Sequence, residues 1–246
     1  MDRVALITGG ARGIGRRIVL DFAKQGYKVA FSYNTSKDRA MQVCNDLTHM
    51  GVDFYCAKMN LAKDREIDDF VRAVVDKFGK IDVLINNSAT TNDSLFRDKT
   101  TQGFENVLRV NLVGSFYISK IVGDIMYKNK SGKIINISST NGISTYYPMC
   151  VEYDASKAGV NSLTHNLAVQ YAPYVNVNAI APGFVATESE IKDMDDEFVK
   201  QEEEKILLRR AGTEEDVSNL VMFLASEKAD YINNQVIKIN GGVYGD

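Results

Sequence analysis

Tyr153 and Lys157 stand four residues apart in the run Glu152-Tyr-Asp-Ala-Ser-Lys-Ala-Gly159. On a helix that spacing puts both side chains on one face. An ammonium beside a phenol favours the phenolate and lowers a pKa that is otherwise about 10, so the pair could give and take a proton near neutral pH. The spacing alone is not distinctive. Tyr33-Asn-Thr-Ser-Lys37 repeats it, and the chain holds 12 Tyr among 246 residues. The elements around each pair must decide which one does chemistry.

Short β-branched runs alternate with longer segments of helical period, the pattern of a parallel sheet built from βαβ units. It predicts strands over 4–8, 28–33, 53–58, 83–86, 133–138, 175–180 and 236–239, with near-continuous apolar character that suits burial on both faces. Helices are predicted over 14–25, 36–50, 64–78, 101–128, 155–171 and 214–225. Thr213 followed by Glu215 and Asp216 has the form of a capped, acidic start for the last of them. The expected fold is α/β: a doubly wound parallel sheet of about seven strands in one domain over 1–246. Such sheets bind ligands at the carboxyl ends of their strands, where strand order reverses. Residues 184–210 break the rhythm, and from Glu188 to Glu204 they hold nine acids against Lys192 and Lys200. This segment is either a solvated surface helix or a lid over the substrate pocket.

Composition narrows the function. A hydrophobic share of 45% and a charged share of 25% are those of an ordinary globular protein. Cys44, Cys56 and Cys150 are scattered, without CxxC spacing, so neither a disulfide framework nor a zinc site is expected. With only His49 and His165 beside them, no metal is expected. No Gly-x-Ser-x-Gly elbow marks a hydrolase. A net charge of −3 gives no nucleic-acid surface. No apolar run reaches the length of a membrane span, and the start MDRVALITGG reads as a strand and not as a signal peptide. The expected location is cytoplasmic, with no membrane partner.

Thr8-Gly-Gly-Ala-Arg-Gly-Ile-Gly15 joins the first strand to the first helix. Glycine at 9, 13 and 15 lets the backbone turn tightly and approach a pyrophosphate, and the helix start behind Ile14 offers oriented N–H groups. The spacing is Gly-x3-Gly-x-Gly, and no Gly-Lys-Ser/Thr follows to make a Walker loop. An acid some 20 residues on would select NAD. Here the second strand ends in Phe31-Ser-Tyr33-Asn34, with no acid until Asp38, and Arg12 stands beside the turn where a guanidinium can grip a 2′-phosphate. Both observations favour NADP(H). They also put Tyr33 and Lys37 near the adenosine end, away from any nicotinamide.

The turn TGGARGIG, Asn86-Asn-Ser-Ala89, Asn111, Ser139, the Tyr153/Lys157 pair, Pro182-Gly183 and Thr187 follow one another as in the classical short-chain dehydrogenase/reductase family, which the chain resembles over its whole length. The resemblance implies a Rossmann-like domain and hydride transfer to or from a carbonyl. It implies Tyr153 as catalytic acid/base, and Lys157 lowering its pKa and binding the nicotinamide ribose. Ser139 would hydrogen-bond the substrate carbonyl, with Ser138 its rival on the opposite strand face, and Asn111 would hold a water in a proton relay. Leu61, Asn87, Pro182, Gly183 and Thr187 would join the cofactor set. Two departures stand out. Ser88-Ala89 replaces the usual Ala-Gly, so a Cβ at 89 could crowd the cofactor or demand another backbone angle. Asn60 replaces an Asp that accepts from the adenine amino group, a bond an amide oxygen can also accept.

Within the family the chain is most similar to bacterial 3-oxoacyl-ACP reductases, through Thr91-Asn-Asp-Ser-Leu95 and Ile239-Asn-Gly-Gly-Val-Tyr244. An acidic carrier protein needs a basic rim. Lys128 and Lys130 could supply one, but Ala172-Pro-Tyr-Val-Asn176 holds no cation and 188–204 is acidic. Two alternatives stay open: an NADP-dependent ketoreductase or an alcohol or sugar dehydrogenase acting on a small free substrate, and a nucleotide-binding regulator without catalysis. The resemblance further implies a homotetramer joined through helices 101–128 and 155–171.

Overall fold

Val4–Ile7 (β1) is buried at every position, as a strand covered on both faces must be. The computed structural model describes residues 3–144, 147–187 and 194–243. Six more strands follow: β2 (Lys28–Tyr33), β3 (Phe54–Lys58), β4 (Val83–Asn86), β5 (Gly132–Ile137), β6 (Val175–Pro182) and β7 (Val236–Ile239). All pair in parallel, in the order β3-β2-β1-β4-β5-β6-β7. Strand order reverses between β1 and β4, and a crevice opens there at the carboxyl ends.

The helices are α1 (Gly13–Lys24), α2 (Lys37–His49), α3 (Asp64–Phe78), α4 (Thr101–Leu108), α5 (Ser115–Lys128), α6 (Val151–Tyr171), α7 (Asp196–Lys205) and α8 (Glu214–Ala225). Successive strand residues face opposite sides, so the sheet feeds two cores. Ala5, Ile7, Val29, Phe31 and Ile85 pack with Ile18 and Phe22 of α1, Val43 and Leu47 of α2 and Val221 of α8. Val4, Leu6, Ala30, Leu84 and Ile134 pack with Phe70 of α3, Ile118 and Met126 of α5 and Leu167 of α6. The expected doubly wound sheet is present, and its strands fall within two residues of expectation. The capped start of α8 is a full capping box between Thr213 and Asp216.

Two helical details differ from expectation. α6 begins at Val151 and not at 155, with Glu152 and Asp154 in its first turn, where acids favour the helix dipole. The predicted 101–128 helix is divided by a π-helical turn over Arg109–Gly114. That widened turn lies against the loop after β3, where a Cβ on Gly114 would come 2.6 Å from Leu61 O. Within 184–210, α7 forms a largely exposed acidic helix capped by Asp195. Its anchors are Phe198, edge-on to Phe184, and the buried Ile206 that follows. Residues 188–193 of the expected lid lie outside the described residues.

Candidate active site

The crevice is a cleft of about 560 Å³ running from the glycine turn to the start of α6. At one end Gly9 and Gly13 adopt positive φ, +70° and +55°, which glycine adopts without strain. Gly15 serves a different purpose: a Cβ there would stand 2.2 Å from Gly9 O and 2.5 Å from Asn87 Nδ2, so its bareness lets α1 press onto the turn. Asn87, the residue after β4, locks the arrangement, its amide donating to Thr8 O at 3.0 Å and Gly9 O at 3.2 Å. No side chain caps α1 and its first turn holds no acid, which leaves the leading N–H groups of the helix for an anion.

Arg12, Tyr33, Asn34, Asn60 and Leu61 line the same end, joined by Thr35 and Ser36. No carboxylate lies among them. The Arg12 side chain is exposed and makes no hydrogen bond or ion pair among the described residues. Asn60 Oδ1 already accepts from Ala62 N at 2.9 Å, with its second lone pair left over. Thr35 and Ser36 escaped sequence reasoning, although their hydroxyls directly follow Asn34. The rival Tyr33/Lys37 pair dissolves, because Tyr33 ends a strand and Lys37 opens a helix, so their spacing puts them on no common face. β2 also lies three strand positions from β5, roughly 14 Å at ordinary strand spacing.

At the other end the cleft is lined by Ser138, Ser139, Tyr153, Lys157, Pro182 and Gly183, while Thr187 reaches back to the glycine turn, 3.7 Å from where a Cβ on Gly13 would stand. Tyr153 is in the first turn of α6, and Lys157 Nζ stands 5.3 Å from the centre of its ring. Lys157 is buried, donates to Ile137 O at 2.6 Å, and is pushed down by burial to about 8. Ser138 Oγ is committed to Lys157 O at 3.2 Å. Ser139 is the more open of the two and begins a single 3-10 turn over Thr140–Gly142, its Oγ accepting from Asn141 N at 3.2 Å. That turn lies directly on α6: a Cβ on Gly142 would meet the Lys157 carbonyl carbon at 2.5 Å and Ala158 N at 2.7 Å. Asp154 ties the two together, accepting from Asn141 Nδ2 at 2.7 Å.

Asn111 does not line the cleft but stands behind it, in the π turn. Its side chain exchanges bonds with both backbone groups of Thr90, at 2.8 and 2.9 Å, and donates to Ser156 Oγ at 3.0 Å. Thr90 does line the cleft, next to Ser88 and Ala89. Among the described residues no cluster of His, Cys, Asp or Glu could hold a metal ion, and no helix is long and apolar enough to cross a membrane.

The profile of the short chain dehydrogenase family matches residues 3–197. The chain belongs to that family. A 3-oxoacyl-[acyl-carrier-protein] reductase of Staphylococcus epidermidis is 40% identical over 245 residues, 99% of this chain and 100% of its own length. One from Aquifex aeolicus is 37% identical over 98% of this chain and 97% of its own. Among solved structures, ElxO with NADP bound has a TM-score of 0.89 at 29% identity, covering 98% of each chain. Acetoin dehydrogenase YohF of Salmonella typhimurium has a TM-score of 0.87 at 27% identity, covering 99% of this chain and 96% of its own. This short-chain dehydrogenase is therefore an oxidoreductase acting on CH–OH or carbonyl groups, with a nicotinamide dinucleotide as cofactor. The glycine cradle, the uncapped helix start and the absence of acids fit that group. Ala89 is exposed at the cleft and its φ is outside the left-handed region, so its backbone angle does not call for glycine.

Proposed function

We propose that the protein reduces 3-oxoacyl thioesters, carried by acyl carrier protein, to 3-hydroxyacyl thioesters with NADPH. The observation that supports this most is the convergence of Ser139, Tyr153 and Lys157 on one end of a cleft in a chain 40% identical, end to end, to a reductase of that name. When bound, the nicotinamide supplies the hydride. Ser139 donates a hydrogen bond to the substrate carbonyl oxygen, and Tyr153 protonates that oxygen as negative charge develops on it. Lys157 holds the cofactor ribose and keeps positive charge beside the phenol. Asn111 acts from behind, through Thr90; a relay water would use the lone pair its Oδ1 keeps free. Arg12, with Thr35 and Ser36, receives the 2′-phosphate in place of the acid that would select NAD. Tyr33, Asn34, Asn60, Leu61, Asn87 and Gly183 complete the nucleotide wall, and α7 covers the substrate end. The working assembly is a homotetramer.

A second reading, reduction of small free ketones, draws on the surface charge. The α6–β6 joint lacks a cation, Lys130 Nζ sits 5.8 Å over the Tyr174 ring, and α7 is acidic. The deciding experiment measures oxidation of NADPH and of NADH with acetoacetyl-ACP, acetoacetyl-CoA and a panel of small ketones. Fast turnover with NADPH and the ACP thioester supports the first reading. Activity with ketones and none with thioesters replaces it by the second, and equal use of NADH removes the assignment of Arg12.

A further inference from the structure

Thr90 lines the cleft, but the chain that continues from it to Lys99 has few apolar anchors. Residues 91–93 and 95–98 are exposed, Phe96 by 73%. Polar contacts hold this segment instead, and they converge on the amine of Lys99. Nζ donates to Asn92 O at 2.8 Å and to Met149 O at 2.9 Å, lies 2.6 Å from Glu152 Oε2, and has Ser94 Oγ at 3.4 Å. The two carbonyls accept hydrogen bonds from the ammonium, and Glu152 Oε2 meets it as a close charge contact not aligned as a hydrogen bond. The two side chains are 7% and 0% exposed, and no other ion pair among the described residues is so enclosed. Two bonds run beside it: Ser94 N to Met149 O at 3.3 Å, and Cys150 Sγ to Asp93 Oδ1 at 3.0 Å.

Glu152 immediately precedes Tyr153 in the first turn of α6. One ammonium thus joins the segment that runs on from cleft-lining Thr90 to the turn that carries the phenol. Desolvation offsets most of the attraction in a buried ion pair, so such a pair adds little net stability over an apolar one. What the site does supply is direction, since the hydrogen bonds of the ammonium to the Asn92 and Met149 carbonyls have fixed geometry while its charge pins it to Glu152.

We propose that Lys99 and Glu152 are positioning residues: they hold the 90–95 wall against the start of α6, set the space beside the Tyr153 hydroxyl, and thereby decide how bulky a carbonyl compound the site admits. The proposal rests on the reading of the cleft as a carbonyl-reductase site.

The test compares the unmutated enzyme with K99M, K99M/E152M and E152Q by melting temperature, kinetics over ketones of rising bulk, and hydrogen exchange at the Ser94 amide. K99M strands a buried carboxylate and should melt lower. K99M/E152M removes both charges and should recover the melting temperature. It should still lose about tenfold or more in kcat/KM for the carbonyl substrate, with the KM for nucleotide unchanged, a shift toward bulkier ketones and faster exchange at Ser94. Recovery of stability together with native kcat/KM and native exchange overturns the proposal. If neither methionine variant folds, E152Q decides, and native kinetics and exchange in it overturn the proposal. If the unmutated enzyme reduces no carbonyl at all, the functional reading fails, and exchange at Ser94 alone then shows whether the tether exists.

Discussion

The amine of Lys157 is held where its charge is disfavoured, pushed by burial from 10.5 to about 8, with Ile137 O accepting from it. Folding around the charged form costs on the order of 3 kcal/mol below pH 8. Between about pH 8 and 10.5 the unfolded chain keeps that proton while the native protein releases it, so the cost fades as pH rises. Nucleotide-free Lys157→Met should therefore be more stable than the unmutated protein at pH 7. The gain is about 2 kcal/mol once the lost bond to Ile137 is subtracted, and it should narrow toward pH 10. Activity should meanwhile fall by a factor of about 10²–10⁴. Tyr153→Phe should lose activity to a similar degree, retain nucleotide binding and show no gain in melting temperature. Calorimetry across pH, paired with kinetics, checks both; a Lys157→Met protein no more stable at pH 7 contradicts the account.

Two glycines of the α1 turn separate strain from collision. A Cβ at Gly13 has its nearest neighbour at 3.7 Å, so Gly13→Ala faces only the left-handed backbone, about 1–2 kcal/mol. At Gly15 the same atom meets main chain at 2.2 Å, and α1 must lift off the turn. Gly15→Ala should weaken nucleotide binding by more than about a hundredfold, at least 2.7 kcal/mol, and Gly13→Ala by much less. Titration of NADPH fluorescence would show it, and equal losses would refute it. The elements themselves were largely legible in the sequence, because fully buried strands read as unbroken apolar runs and helix periods stand out between them. The π turn at Arg109–Gly114 was not, since contacts with Leu61 and Thr90, distant in sequence, impose it on an apolar pattern that reads as plain helix. The site was legible wherever one residue type admits one job, as at Gly9, Tyr153 and Lys157. The tether between Lys99 and Glu152 was not, because 52 intervening residues hide a contact that only the fold creates.

For the whole molecule, the sheet order brings the carboxyl ends of β1 to β6 to one rim, so a cleft built from segments widely separated in sequence needs no second domain. The opposite concern is the outer surface. Val113 in the π turn, Phe116 on α5 and Val169 on α6 are exposed, Val169 by 69%, and apolar surface on neighbouring helices suits a partner copy. Under the proposed tetramer, Phe116→Glu/Val169→Glu should lower the solution mass seen by light scattering while the isolated chain stays folded by circular dichroism. An unmutated protein that is an active monomer would end that proposal.

Gly142 brings no functional group to the reaction, yet the 3-10 turn bearing Ser139 can rest on α6 only because nothing projects from position 142. For anyone reshaping this enzyme toward new carbonyls, position 142 is a datum point. A single methyl group there has to move either the hydroxyl or the helix that carries Tyr153 and Lys157. The absent atom constrains the site as strictly as a side chain would, and a mutational library will rank it beside the residues it keeps in register.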